Sequence, residues 1–314
     1  MKKVIFVGSA PYSGSTLFGM TLANDPRGFA CGEVYHLFHP SKPHHLTPTC
    51  GCGDPHCDIW QTVKKNGEDA LFDTLFERFP KVEFIVTSYK SPYWIQEQNS
   101  LMSRRGIETK NILIWKTPYE FAESCNKRGM LDHWEKAWTN YHRLYHTLIE
   151  NWAAVKFDRY TSDTTLLRHI CSRLEIPYFE GKEQYWNKTH HILFGNHSAR
   201  IHLYNTSSKS YEQAQSTIKA DTNEHADRAY RTIYNPSDAS SSIRRQVEKQ
   251  VRASRYIDDI LRLLESHDVA ANTALPPSPQ DAIRLSHLRV QIGRMKQDWE
   301  TKTASRRILK DAQA

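Results

Sequence analysis

The sequence lacks several things that would settle its class at once. No stretch of its 314 residues is long and apolar enough to span a bilayer. Met1-Lys2-Lys3 ahead of an apolar run imitates a signal peptide, but a glycine-serine loop interrupts the run too early. A soluble, cytoplasmic protein with mostly reduced thiols is therefore expected. No run of basic residues forms a nucleic-acid stripe, although the net charge is +7, which suits a polyanionic ligand. There is no internal repeat. A further absence lies near the start. Gly14 is followed directly by Ser15-Thr16, so the lysine of the GxxxxGK(S/T) nucleotide loop is missing. That disfavours an NTPase that holds β- and γ-phosphates with this lysine.

What is present is a strand, loop and helix pattern from Val4 to Leu22. Val4-Ile5-Phe6-Val7 suits a strand buried on both faces of a parallel sheet. Gly8 to Thr16 is a loop of small residues, and Leu17 to Leu22 reads as a helix. This geometry aims backbone N–H groups and a helix N-terminus at one spot, where phosphate or sulfate binds. The same residues also suit a serine-rich turn without a ligand.

Further apolar runs at Val82–Val86, Asn111–Trp115 and Ala153–Asp158 read as strands. Helical patterns cover Glu68–Arg78, Tyr93–Arg104, a long stretch from Leu131 to Asn151, Thr164–Leu174 and Ser242–His267. Between Ile201 and Ser241 the composition is polar, as in a loop or insertion. Asp268–Gln280 reads as a linker. Beyond it Leu285, Leu288, Ile292, Met295 and Trp299 form a short heptad seam, able to dimerise or to dock on its own domain. Residues 35–60 are rich in His, Pro and Cys. Cys50, Cys52 and Cys57 would suit zinc if a nearby His supplied one more ligand.

Taken in order, these motifs resemble the sulfotransferases that use 3′-phosphoadenosine 5′-phosphosulfate (PAPS). The family's loop places Arg or Lys before Ser-Gly-Ser/Thr-Thr. Here Tyr12, Ser13, Gly14, Ser15 and Thr16 occupy it, with Tyr12 where the cation belongs. Gly32-Glu33 is similar to the Gly-Glu after the first helix, which implies Glu33 as the base for an acceptor hydroxyl. Thr87 to Pro92 resembles the segment after the next strand and makes Lys90 the substitute for the missing loop cation. Lys116, Pro118 and Ser124 match a strand-end Arg and a Ser eight positions later that bind the 3′-phosphate; Thr117 replaces an acid there and loses a turn-capping group. His190 to Arg200 resembles a late loop that closes over the nucleotide, with Arg200 a further 3′-phosphate contact. Bacterial relatives also carry a similar Cys-x-Cys-Gly…Cys stretch, which implies a family loop with thiol or disulfide staples rather than a metal centre.

The resemblance implies an α/β fold of three layers, P-loop-like, with a central parallel sheet flanked by helices and a helical C-terminal extension. Residues 1–267 would form the domain, with the insertion at about 201–241, and 268–314 a linker and helical tail. It implies sulfuryl transfer from PAPS to an acceptor hydroxyl, with no metal required and no metal site assigned. The acceptor is a carbohydrate or glycolipid first and a phenol second, since phenol-sulfating relatives more often use a histidine base. The alternatives are a weak or inactive nucleotide-binding relative, which Tyr12 favours, and a P-loop-type kinase using ATP and magnesium.

Overall fold

Alternation along the first strand divides the protein into two faces. In the computed structural model, which describes residues 2–163, 165–203, 212, 241–254 and 256–269, β1 (Lys3–Gly8) is buried at every position. Val4 and Phe6 enter one apolar cluster, Ile5 and Val7 the other. Period-two alternation with both faces covered is what a central parallel strand requires.

Four more strands join it: β2 (Gly28–Gly32), β3 (Phe84–Thr87), β4 (Glu108–Trp115) and β5 (Trp152–Lys156). The order is β2-β3-β1-β4-β5 and every pairing is parallel. The helices are α1 (Ser15–Leu22), α2 (Tyr35–Phe38), α3 (Ile59–Asn66), α4 (Leu71–Arg78), α5 (Pro92–Arg104), α6 (Pro118–Asn126), α7 (Trp134–Leu148), α8 (Phe157–Ser162), α9 (Leu166–Leu174), α10 (Ser241–Ala253) and α11 (Ile257–Ser266). Helices α1, α8 and α9 bury Phe18, Tyr160 and Ile170 on one face of the sheet. Helices α3 to α7, α10 and α11 bury residues such as Trp60, Phe72, Trp94, Phe121, Trp138, Val247 and Leu264 on the other. The expected three-layer α/β fold is therefore present. From β1 the chain leaves toward β2, whereas from β4 it leaves toward β5. Between β1 and β4 lies the switch point where open parallel sheets bind ligands.

Three details differ from expectation. Strand β2 has only five residues, two of them glycine, too short and small to show a strand period. Phe157 and Asp158 begin α8 rather than ending β5. The helix expected over 242–267 is two helices, parted after Ala253. At about 100° per residue, Val247 and Ile260 would lie about 140° apart on one unbroken helix. The break resets the phase and lets both reach the same cluster. After α11 the chain stays on the sheet edge, with Ala154 N–H donating to His267 O (2.7 Å) and Val269 N–H to Ala154 O (3.0 Å). The heptad seam and nearly all of the polar insertion lie outside the described residues. No described helix is long and apolar enough to cross a membrane.

Among the described residues three histidines are buried, His45, His142 and His190, and the last two lie against backbone carbonyls. His142 Nδ1 lies 2.7 Å from Trp138 O, and His190 Nε2 lies 2.9 Å from Tyr185 O. Burial holds each down to about 4, so both rings are neutral when folded and protonate near 6.5 when unfolded. The unfolded chain then binds more protons between these values, and stability falls as pH drops through that window. Each histidine costs about 1 kcal/mol at pH 5.5 relative to 7.5. Urea unfolding at the two pH values should show the loss, and H142Q/H190Q should reduce it, leaving the part that His45, also held down to about 4, contributes. An unchanged slope in the double variant contradicts this account.

Candidate functional site

The loop after β1 turns through two left-handed residues, Tyr12 (φ 66°) and Gly14 (φ 90°). A Cβ at Gly14 would fall 2.1 Å from the Phe157 ring, so glycine is required for conformation and for space alike. Gly14 O accepts from Phe18 N–H at 3.1 Å, and α1 begins. No side chain caps that helix. Its first N–H groups, at Ser15 and Thr16, have no intrahelical acceptor, which makes them a ready anion cradle.

A cavity of about 630 Å³ opens in front of this loop. Tyr12, Gly14, Ser15, Thr16, Glu33, Lys90, Lys116 and Ser124 all line it. Residues 112 positions apart thus share one space because β1, β3 and β4 are neighbours. Two of the expected residues stand apart. Ser13 is buried and does not contribute to the lining. Arg200 is buried in the 3-10 turn Ser198–Leu203, and its guanidinium donates to Phe194 O at 3.3 Å. Its neighbours Asn196 to Ala199 reach the cavity, and Arg200 does not.

Lys116 is 6% exposed at the tip of β4. Its Nζ donates to Ser124 Oγ at 3.0 Å and lies 4.9 Å above the Phe157 ring. Ser124 reaches it because α6 starts two residues after Lys116. That start is a full capping box: Thr117 Oγ1 accepts from Glu120 N–H (3.3 Å), and Glu120 Oε2 accepts from Thr117 N–H (2.7 Å). The expected loss of a capping group at Thr117 is thereby corrected, since threonine caps as an acid would.

Glu33 follows β2 and Lys90 follows β3, and the two side chains form an ion pair through Lys90 Nζ and Glu33 Oε1. The other carboxylate oxygen is 4.0 Å from His36 Nε2. His36 stacks on His45 at 4.1 Å, and both line the cavity with His44 and Tyr89. Burial lowers His36, and burial together with His36 lowers His45 to about 4, so His45 is neutral near pH 7.

Lys42, Lys127 and Arg128 also line the cavity and were not foreseen. Arg128 follows the end of α6, four residues after Ser124. It donates to Ser124 O at 2.6 Å and places its guanidinium carbon 4.1 Å over the Tyr12 ring. The loop position that lacks a cation of its own therefore carries one on its aromatic face. Among the described residues, five cations and one carboxylate line this space, an arrangement suited to binding a multiply charged anion beside a polar acceptor.

No family model matches the sequence, and no curated protein matches it. Among solved structures it is similar to the sulfotransferase domain from the curacin biosynthetic pathway, with TM-score 0.46 and 16% identity over 80% of this chain and 98% of that one. It is also similar to the sulfotransferase domain from the Synechococcus PCC 7002 olefin synthase, with TM-score 0.43 and 18% identity over 80% and 94%.

The contact at Gly14 can be tested by itself. Gly14→Ala should cost roughly 2 kcal/mol or more, from the left-handed backbone and the clash with Phe157. The cost should shrink in a Phe157→Ala background, measured as a double-mutant cycle in urea. An equal cost in both backgrounds would show that the ring is no obstacle.

Proposed function

We propose that the protein transfers a sulfuryl group from PAPS to an acceptor hydroxyl. The observation that carries this reading is the buried Lys116–Ser124 contact, which lines the same cavity as the N-terminus of α1. Two anion centres around one space suit a nucleotide bearing phosphate at both its 3′ and 5′ positions. In this reading the 5′-phosphosulfate rests on the N–H groups and hydroxyls of Ser15 and Thr16, with Ser13 and Gly14 shaping the turn. Lys116 and Ser124 hold the 3′-phosphate. Arg200 supports the segment 194–199 through Phe194 rather than touching the nucleotide.

The acceptor oxygen attacks sulfur as the bond from sulfur to the bridging phosphate oxygen breaks. The acceptor's proton passes to Glu33, and adenosine 3′,5′-bisphosphate leaves with the bridging electrons. No metal is needed for this step. Arg128, held on Tyr12, supplies the positive charge that the loop lacks, and Lys90 supplies a second cation beside Glu33. Preorganised charge of this kind commonly contributes most to the rate of such transfers. A carbohydrate hydroxyl is the proposed acceptor, since Tyr89, His36 and His45 give that end of the cavity an aromatic wall.

Calorimetry with adenosine 3′,5′-bisphosphate against ATP with magnesium tests the nucleotide site. The bisphosphate should bind more tightly, and Lys116→Ala should weaken it about 10- to 100-fold, the effect of losing one charged hydrogen bond. Preference for ATP with magnesium would instead favour a kinase. Turnover with PAPS tests the charge assignment. Arg128→Ala should lower kcat about 100-fold or more, and Tyr12→Lys in that background should restore part of it. Intact turnover in Arg128→Ala, with loss only in Lys90→Ala, would assign the compensating charge to Lys90.

A further inference from the structure

Away from the cavity, four side chains that the reaction does not use converge on one point. They are Cys50, Cys52, Cys57 and His191, and their ligand atoms all lie within 4.8 Å of one another. All four residues are partly buried, and the three thiols are free of disulfides. We propose that Cys50, Cys52, Cys57 and His191 form a structural zinc site that fastens the cysteine loop to the segment lining the cavity.

The distances suit a tetrahedral ion. Zinc bonds of about 2.3 Å to sulfur and about 2.0–2.1 Å to nitrogen place S and N ligands about 3.6 Å apart. His191 Nδ1 lies 3.4 Å from Cys50 Sγ and 3.6 Å from Cys57 Sγ. The ring is also fixed in orientation. It stacks on Phe29 at 5.9 Å with an 8° tilt and packs against Phe79 at 5.5 Å. Three thiols and one imidazole are the donor set of closed, structural zinc sites, with no position left for substrate.

The backbone is folded for the purpose. Gly53 N–H donates to Cys50 O at 3.4 Å and Cys57 N–H to Asp54 O at 3.2 Å, which curls the loop and turns its three sulfurs together. Gly51 N–H donates to Ile192 O at 2.8 Å, and a Cβ at Gly51 would lie 2.7 Å from that oxygen. Only glycine lets the loop lie this close to the segment carrying His191. A disulfide between two of the cysteines would leave the third thiol and the imidazole without a shared role. A metal uses all four.

The cluster has a structural consequence. Just past His191 the chain pairs with β2, where Leu193 N–H donates to Cys31 O and Glu33 N–H to Leu193 O, both at 2.9 Å. A little further on, Asn196 N–H donates to Thr16 Oγ1 at 3.1 Å, at the mouth of the cavity. The ion would thus anchor one end of the segment whose other end rests on α1. It also ties residues 50–57, which would otherwise be an irregular loop, to the sheet edge.

Metal analysis of the full chain, purified under reductant without chelator, is the test. Wild type should carry about one zinc per chain, or take it up tightly after reconstitution in competition with a chelating dye. Cobalt substitution should give thiolate charge-transfer absorption and the d–d bands of a tetrahedral site. Cys52→Ser and His191→Ala should lose both metal and bands, while Cys171→Ser, a buried thiol elsewhere, should keep them. Chelation should lower the Tm of wild type and leave that of Cys52→Ser unchanged. No tight binding after reconstitution, a cobalt spectrum without thiolate bands, or a disulfide between two of these cysteines found by mass mapping under the same conditions would overturn the proposal. None of these readouts depends on sulfuryl transfer.

Discussion

The site depends on one contact, in which the Phe157 ring fills the space that a side chain at position 14 would take. Phe157 is the first residue after β5, Gly14 ends the loop after β1, and Lys116, above the same ring, is the first residue after β4. These three strands are neighbours in the sheet. One aromatic ring therefore sets the spacing of three strand tips. The loop cannot move toward β5 without striking it, and Lys116 cannot move away without losing its cation–π partner. The anion cradle at α1 and the ammonium at β4 are held at a fixed separation by packing rather than by a direct bond between them.

Charge follows from that packing. Burying an ammonium such as Lys116 costs several kcal/mol in lost hydration. The Ser124 hydroxyl and the Phe157 face offset part of that cost, and the capping box fixes Ser124 in place. An anion arriving beside Lys116 meets a charge already stripped of water and already oriented, which strengthens the interaction. Glu33 is treated differently. Among the described residues lining the cavity it is the only carboxylate, and Lys90 neutralises it. A bare carboxylate there would repel an anionic ligand, whereas the pair presents little net field until one partner is drawn away.

Much of this was legible in the sequence because it is local. The apolar runs marked four of the five strands, and the Gly-Ser-Thr loop lay where a buried strand meets a helix. Lys116 and Ser124 were paired through the motif they resemble, and they meet because a single helix start separates them. Strand β2 was hidden by its glycines. Arg128 was missed because its position depends on how α6 ends: Gly129 (φ 67°) turns the chain there, and the side chain folds back onto Tyr12. His191 joined the cysteines through long-range contacts that no local pattern shows, the bridge of Leu193 with Gly32, 161 positions apart, and the bond from Gly51 N–H to Ile192 O. Arg200 is a different case. Its segment borders the cavity, but the 3-10 turn aims its guanidinium at Phe194 rather than into that space.

Tyr12 looked like a defect because motif reading assigns a charge to the residue at a loop position. Electrostatics depends on where the charge lies, not on which residue carries it. Arg128 reaches the loop from the end of α6, and the Tyr12 face holds the guanidinium plane that a lysine at position 12 would not need held. The two arrangements differ in what else they couple. A loop lysine would move with the loop alone. Arg128 also donates to Ser124 O, so its charge is tied to the helix that presents Ser124 to Lys116. On the proposed reading, the groups at the 3′ and 5′ ends of the donor are then parts of one rigid unit, and displacement at either end is felt at the other.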